Sequence, residues 1–317
     1  MRRNLPTSEP RNWVVQVRRF GDPDELEVVD APLPTVGRGE VRVRVLASSL
    51  EYTDVTIRRH LYPWVLRRPP FVLGYDVVGE IDQLGDGVSG FQLGDRVADM
   101  TVLESNAAYR TLQASHLTRV PAGVDAAEAA ALILSWTTAY QLLHRAARVQ
   151  RGQRVLVHGA AGAVGQALLV LGGLAGLELW GTARGAHAAL IRELGATPID
   201  YQREDFARVL SGGFDVVFDG IGEDDYRRSF AALKRGGLLC AYGYTAGVQA
   251  QRRLLTIIDV DCARVSMEAV AEFVAWRQAS PRLFNQCDAG ATSQLVPGGP
   301  GAALRPVGNS RHPAARR

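Results

Sequence analysis

Arg154-Val-Leu-Val-His-Gly-Ala-Ala-Gly-Ala-Val-Gly165 is the stretch on which the fold turns. Arg154 to His158 is short, apolar and valine-rich, the pattern of a buried parallel strand. Gly159, Ala160, Ala161, Gly162, Ala163, Val164 and Gly165 then predict a tight turn that opens a helix from Gln166 to about Gly176. A helix start leaves amide N–H groups unpaired and carries partial positive charge. Small residues let a diphosphate come close to those amides, so these seven residues are candidate cofactor contacts. A glycine pattern alone says little. Here a strand precedes it, a helix follows, and a second strand, Leu177 to Ala183, comes after. The bland alternative is an ordinary strand-to-helix turn.

Downstream, strands and helices go on alternating. The pattern predicts a helix from about Ala186 to Leu194, a short strand at Pro198–Ile199 and a helix from Glu204 to Leu210. A strand from Phe214 to Asp219, a helix from Asp224 to Leu233, a Gly236–Gly237 turn and a strand from Leu238 to Tyr242 complete the series. That is a doubly wound parallel sheet. After about Gly247 the signal fades; Val265 to Gln278 reads as a mixture, and from Asn285 the chain is rich in Gly, Pro, Ala and Arg. An irregular tail over 285–317 is expected there.

Upstream the texture differs. Trp13 to Arg18, Glu25 to Val29, Arg96 to Val102 and Ala108 to Leu112 read as strands, with Phe71 to Leu84 interrupted by Gly74 and Gly79. Glu40 to Ala47 alternates strictly, as a strand with one wet face does. Asp54 to Arg59 suits a short helical turn. Many short strands with Gly-rich turns imply a β-barrel-like first domain. At Asp125 and Glu128 a capping box opens a long apolar helix, Ala126 to about Ala139, with another expected from Tyr140 to Val149. The expected domains are 13–124 and 125–264, with 265–284 a candidate return to the first.

Composition bounds the rest. With 317 residues the chain suits two domains, and a formal charge of +3 is too small and too evenly spread for nucleic acid. Cys240, Cys262 and Cys287 form neither a disulfide framework nor a metal cluster, so a reducing cytoplasm is expected. The polar start has no apolar core, which argues against a signal peptide. The longest apolar runs are too short or too broken to span a bilayer.

These pieces resemble the medium-chain dehydrogenase/reductase superfamily, in its zinc-free quinone-oxidoreductase-like branch. The resemblance runs through PLP-x-x-GRGEVRVRV (Pro32 to Val45), LYP (Leu61 to Pro63) and GYDVVGEIDQLGDGVSGFQLGDRV (Gly74 to Val97). It continues through the VLVHGAAGAVGQ turn, LGATPIDY (Leu194 to Tyr201) and DVVFDGIG (Asp215 to Gly222) to the GG-LLCAYG strand. It implies a GroES-like β-barrel catalytic domain plus a Rossmann domain, an NADPH cofactor, a small electrophile such as a quinone or an enone as substrate, and it allows a homodimer. Two departures stand out. Where zinc-dependent members place a Cys and a His on the metal, this sequence has Glu51 and Tyr75, so no metal is expected. After Phe284 the family's closing G-G-x-x-G-K-x-V-L signature does not appear.

The remaining candidates follow from chemistry. The second strand ends at Gly181-Thr182-Ala183-Arg184, with an arginine where NAD enzymes carry a carboxylate. An arginine fork suits a 2′-phosphate, which favours NADPH over NADH. Tyr201 matches a family tyrosine over that phosphate, Thr182 stands beside it, and His187 is a weaker candidate. Asp219 and Gly220, with Gly243 one strand further on, lie at strand carboxyl ends where cofactor approaches. Tyr62 matches a pocket tyrosine able to donate a hydrogen bond, and Glu51 is a candidate proton donor; the bland alternative pairs Glu51 with Arg58 or Arg59. Asp54 is read as a helix cap, Asp76 as structural, and Trp136 and Tyr140 as packing residues. Rival readings are a zinc-free alcohol dehydrogenase and a non-catalytic NADPH-binding paralogue.

Overall fold

Strand Glu40–Ala47 shows how the first part folds. Val41, Val43 and Val45 are buried, while Arg42 pairs with Asp82 at 2.9 Å and Arg44 with Glu80 at 2.6 Å on the wet face. The computed structural model describes residues 10–62 and 65–249. The described chain divides into two compact units, one of residues 10–59 and 67–131, the other of residues 60–66 (63 and 64 apart) and 132–249.

The first unit is all antiparallel. Its strands are β1 (Asn12–Val17), β2 (Leu26–Ala31), β3 (Glu40–Ala47), β4 (Phe71–Val72), β5 (Asp76–Leu84), β6 (Arg96–Met100), β7 (Tyr109–Gln113) and β8 (Thr118–Arg119). They form a three-stranded sheet ordered β2-β1-β4 and a five-stranded sheet ordered β7-β3-β5-β6-β8. The expected strand over 71–84 is broken in two. Gly74 sits at φ +112°, where a Cβ would fall 2.3 Å from the Asn106 nitrogen, so the chain turns there. Helix α1 (Tyr52–Arg58) begins two residues earlier than expected.

Helix α2 (Ala126–Tyr140) is capped by Asp125, whose Oδ1 accepts from the Ala127 and Glu128 amides at 2.9 and 3.2 Å. The separate helix expected from Tyr140 is absent; α2 runs straight on through a wider π turn over Gln141–Ala146, closed by Ala147 N–H on Leu142 O at 2.9 Å.

The second unit carries β9 (Arg154–His158), α3 (Ala163–Leu174), β10 (Glu178–Ala183), α4 (Ala188–Glu193), β11 (Thr197–Asp200), β12 (Phe214–Asp219), α5 (Arg227–Ala231), β13 (Leu233–Ala241) and a last short helix, α6 (Thr245–Gln249). The sheet is wholly parallel, ordered β11-β10-β9-β12-β13, and starts in its middle as a doubly wound sheet does. Two expected helices shrink: 204–210 keeps only a 3-10 turn at Phe206–Arg208, and 224–233 splits at Tyr226, whose φ of +66° ends one turn before α5. The Gly236–Gly237 turn is absorbed into β13, whose register against β12 slips between Phe214 and Val216.

One face of this sheet packs Val155 and Val157 on Leu168, Leu169 and Leu171 of α3. Leucines so buried are worth about 2–5 kcal/mol each against alanine. The other face packs Leu156 with Phe206, Phe214 and Val217. At the amino end of the strands, Asp215 accepts from the Arg154 amide at 2.8 Å and pairs with Lys234, tying β9, β12 and the start of β13. Trp136 and Tyr140 pack on the first of these cores, as expected.

Candidate functional site

The turn after β9 pairs its own first amides internally and leaves the opening amides of the next helix unpaired within it. Gly159 has φ +64°, which glycine adopts without strain. Its carbonyl accepts from Gly162 N–H at 2.9 Å, and Ala160 N–H donates to Thr182 O at 3.0 Å. Helix α3 starts at Ala163, three residues before the expected position, so Ala163 and Val164 belong to its first turn. The amides of Ala163, Val164 and Gly165 therefore have no acceptor within the helix. A Cβ on Gly165 would lie 2.4 Å from Gly159 O and 2.7 Å from Ala160 Cα, which is what seats α3 against the turn. The turn's own side chains are small, with Ile221 Cδ1 lying beside Gly159, and unpaired helix-opening amides of this kind suit a diphosphate.

Arg184 follows β10 directly, and its Nε donates to the Tyr201 hydroxyl at 3.3 Å. The structure thus brings together the two residues expected at a 2′-phosphate. His187 ends the next 3-10 turn, exposed. Thr182 is buried, and its hydroxyl pairs with His158 Nδ1 at 2.9 Å rather than facing outward.

Asp219 is likewise spent locally. Oδ1 accepts from the Ile221 and Gly222 amides at 2.8 and 3.0 Å, and Oδ2 from Ser229 Oγ at 2.5 Å. It shapes the β12 loop. A Cβ on Gly220 would strike the Tyr242 ring at 2.7 Å, and one on Gly243 would meet Gly220 O at 2.8 Å. These two glycines are needed first so that the strand ends can approach each other.

In the first unit, Asp76 is fully buried at the start of β5. Its Oδ1 accepts from Ser49 N–H at 2.7 Å and its Oδ2 from Ser49 Oγ. Burial pushes its carboxyl up to about 7. Glu51 is half-buried two residues along, with Ser49 Oγ 3.3 Å from Oε1. Arg58 donates to Gly21 O, and Arg59 pairs with Asp22 at 3.0 Å. Asp54 caps α1 through Glu51 N–H at 2.9 Å, as expected, and burial raises it to about 6. Tyr62 is half-buried in the second unit's short segment near residue 60.

Asp76 sets a pH dependence whose sign is fixed. From 3.8 in the unfolded chain to about 7 in the fold, the native state keeps a proton that the unfolded chain releases. Its contribution is present below pH 3.8 and is lost as pH rises through 7. His158, held low by burial, works oppositely and costs stability as pH falls through 6.5. Asp76→Asn is therefore expected to narrow the gap between melting temperatures at pH 5 and pH 8; an unchanged gap refutes the assignment.

Residues 37–142 match the alcohol dehydrogenase GroES-like domain family, and residues 194–287 match the zinc-binding dehydrogenase family. A 2-haloacrylate reductase from Burkholderia is 32% identical over 257 residues, which is 77% of this chain and 77% of that protein. A quinone oxidoreductase from Pseudomonas aeruginosa is 34% identical over 241 residues, 74% of each. The chain belongs to the medium-chain dehydrogenase/reductase superfamily. A mycobacterial protein solved in complex with NADPH has the same fold, with TM-score 0.74 and 26% identity over 90% of this chain and 100% of that one. As a medium-chain oxidoreductase, this chain binds a pyridine nucleotide and acts on a small molecule. Among the described residues no helix is long and apolar enough to cross a membrane.

Some members of the superfamily use zinc, which asks for Cys, His or carboxylate donors converging on one point. Here both oxygens of Asp76 are taken by Ser49, Tyr75 is buried, and among the described residues no three His, Cys, Asp or Glu side chains gather as a metal site. That donor set does not fit the ion. Sequence reasoning missed the His158–Thr182 pair and the Ser49 link between Asp76 and Glu51. The available signal was a polar residue ending each of two adjacent apolar strands.

Proposed function

We propose that this oxidoreductase is NADPH-dependent and zinc-independent, and that it reduces a quinone or an α,β-unsaturated carbonyl. The observation that carries the cofactor reading is Arg184 Nε on the Tyr201 hydroxyl, at the end of β10 beside the bare turn. Gly159 to Gly165 take the diphosphate on the α3 amides, and Arg184 with Tyr201 takes the 2′-phosphate. Bound NADPH supplies the hydride. Thr182, Asp219, Gly220 and Gly243 hold the carboxyl end of the sheet in shape for it.

The acceptor takes up a hydride and a proton. The proposed catalytic candidates are Tyr62, whose phenol O–H can donate to a carbonyl oxygen, and Glu51, with Oε1 3.3 Å from Ser49 Oγ, as a proton source. The zinc-independent part rests on the donors at residues 51, 75 and 76. Cys240 is buried with its thiol pushed up to about 11, which suits a structural thiol in a reducing cytoplasm. A homodimer is the proposed assembly.

The test is NADPH consumption by the purified chain across quinones and enones, beside a metal analysis. Turnover with NADPH, persisting after chelation, supports the reading. Turnover only of simple alcohols with NADP⁺ selects the alcohol dehydrogenase alternative. Cofactor binding without any turnover selects the non-catalytic one.

A further inference from the structure

Helix α3, AVGQALLVLGGL, carries one polar side chain, Gln166. It is buried, 7% exposed, in a helix whose other large side chains are apolar. Burying a carboxamide costs free energy that a leucine would not. Its Nε2 donates to the Ala161 carbonyl at 2.9 Å, while its Oε1 is buried without a hydrogen-bond partner among the described residues. Turning the amide over would set its oxygen against the Ala161 oxygen, so the hydrogen-bond network fixes its orientation.

The Ala161–Gly162 peptide is thereby fastened at both ends. Its carbonyl is held by Gln166, and its N–H donates to Gly159 O at 2.9 Å. It lies immediately before the three amides that open α3. A peptide carries its oxygen and its N–H on opposite sides. If the carbonyl end is released, only the Gly162 N–H bond to Gly159 O still restrains the plane, which can then tilt its negative oxygen towards an anion.

We propose that Gln166 is a positioning residue for the cofactor's diphosphate: it pins the Ala161 carbonyl and so holds the turn in the form that leaves the opening α3 amides to the anion. The inference rests on the cofactor reading above and adds to it a residue outside the glycine pattern.

The test uses the full chain with Gln166→Met, close in shape but unable to donate, and Gln166→Leu as a second variant, both checked by melting temperature. Binding of NADPH, of 2′-phospho-ADP-ribose and of adenosine 2′-monophosphate is followed by fluorescence or calorimetry. Both diphosphate ligands are expected to bind about tenfold more weakly to the variants, and adenosine 2′-monophosphate equally well. The KM for NADPH rises in step while kcat at saturating cofactor holds. Unchanged diphosphate affinity, or an equal loss for all three ligands, overturns the positioning role while wild-type binding leaves the cofactor reading standing. Failure of the wild type to bind NADPH overturns both.

Discussion

Arg184→Glu is expected to weaken NADPH binding roughly 10- to 100-fold while changing NADH affinity little. The two cofactors differ only in the 2′-phosphate. A hydrogen bond to a charged group is worth about 1.5–3 kcal/mol, and each 1.4 kcal/mol is tenfold in affinity. The substitution removes that bond and sets a carboxylate against the phosphate, so repulsion adds to the loss. Tyr201 keeps its place, because β11 pairs with β10 through Ala183–Asp200 whatever follows. Parallel titrations with NADPH and NADH decide it. Equal losses for both cofactors, or none, reject the 2′-phosphate assignment.

Two glycines of the turn separate folding from binding. Gly165→Val is expected to destabilise the chain by about 3 kcal/mol or more, because its Cβ meets backbone at 2.4, 2.7 and 2.9 Å and backbone cannot rotate away. Melting temperature falls by several degrees and cofactor binding goes with it. Gly162→Val is different. Its φ of −80° suits any residue, and its Cβ meets only Gly159 O at 3.2 Å. The fold is expected to survive with a melting temperature close to that of the wild type, while NADPH affinity collapses because the side chain occupies the diphosphate's approach. Full NADPH affinity in Gly162→Val counts against the phosphate turn; a wild-type melting temperature in Gly165→Val counts against the packing account.

The parallel half was legible because its strands are continuous apolar runs. Phe214–Asp219 and Arg154–His158 lie where periodicity puts them. Helix starts were less so. Ala163, Val164 and Gly165 belong to the turn by pattern alone, since nothing in small residues marks where a turn becomes a helix. The β13 boundary failed for a related reason: Gly236 and Gly237 signal a turn, but pairing with β12 draws them into the strand, with Gly236 at φ +77°. Of the candidate site, the bare turn and Arg184 at the end of the second strand were legible from pattern and position, while Tyr201 came from the family resemblance. The supports were not, because Ser49 and Asp76 meet across 27 positions and His158 and Thr182 across 24. Gln166 did leave a mark, as one polar letter in an apolar helix.

Lys234 is the only lysine in the chain, and the fold commits it to Asp215 at the foot of the sheet. Reagents that acylate side-chain amines thus have one address, where β13 begins beside β12. A single acyl tag there reports on the seam that joins the last described strand to its neighbour, and leaves every arginine untouched.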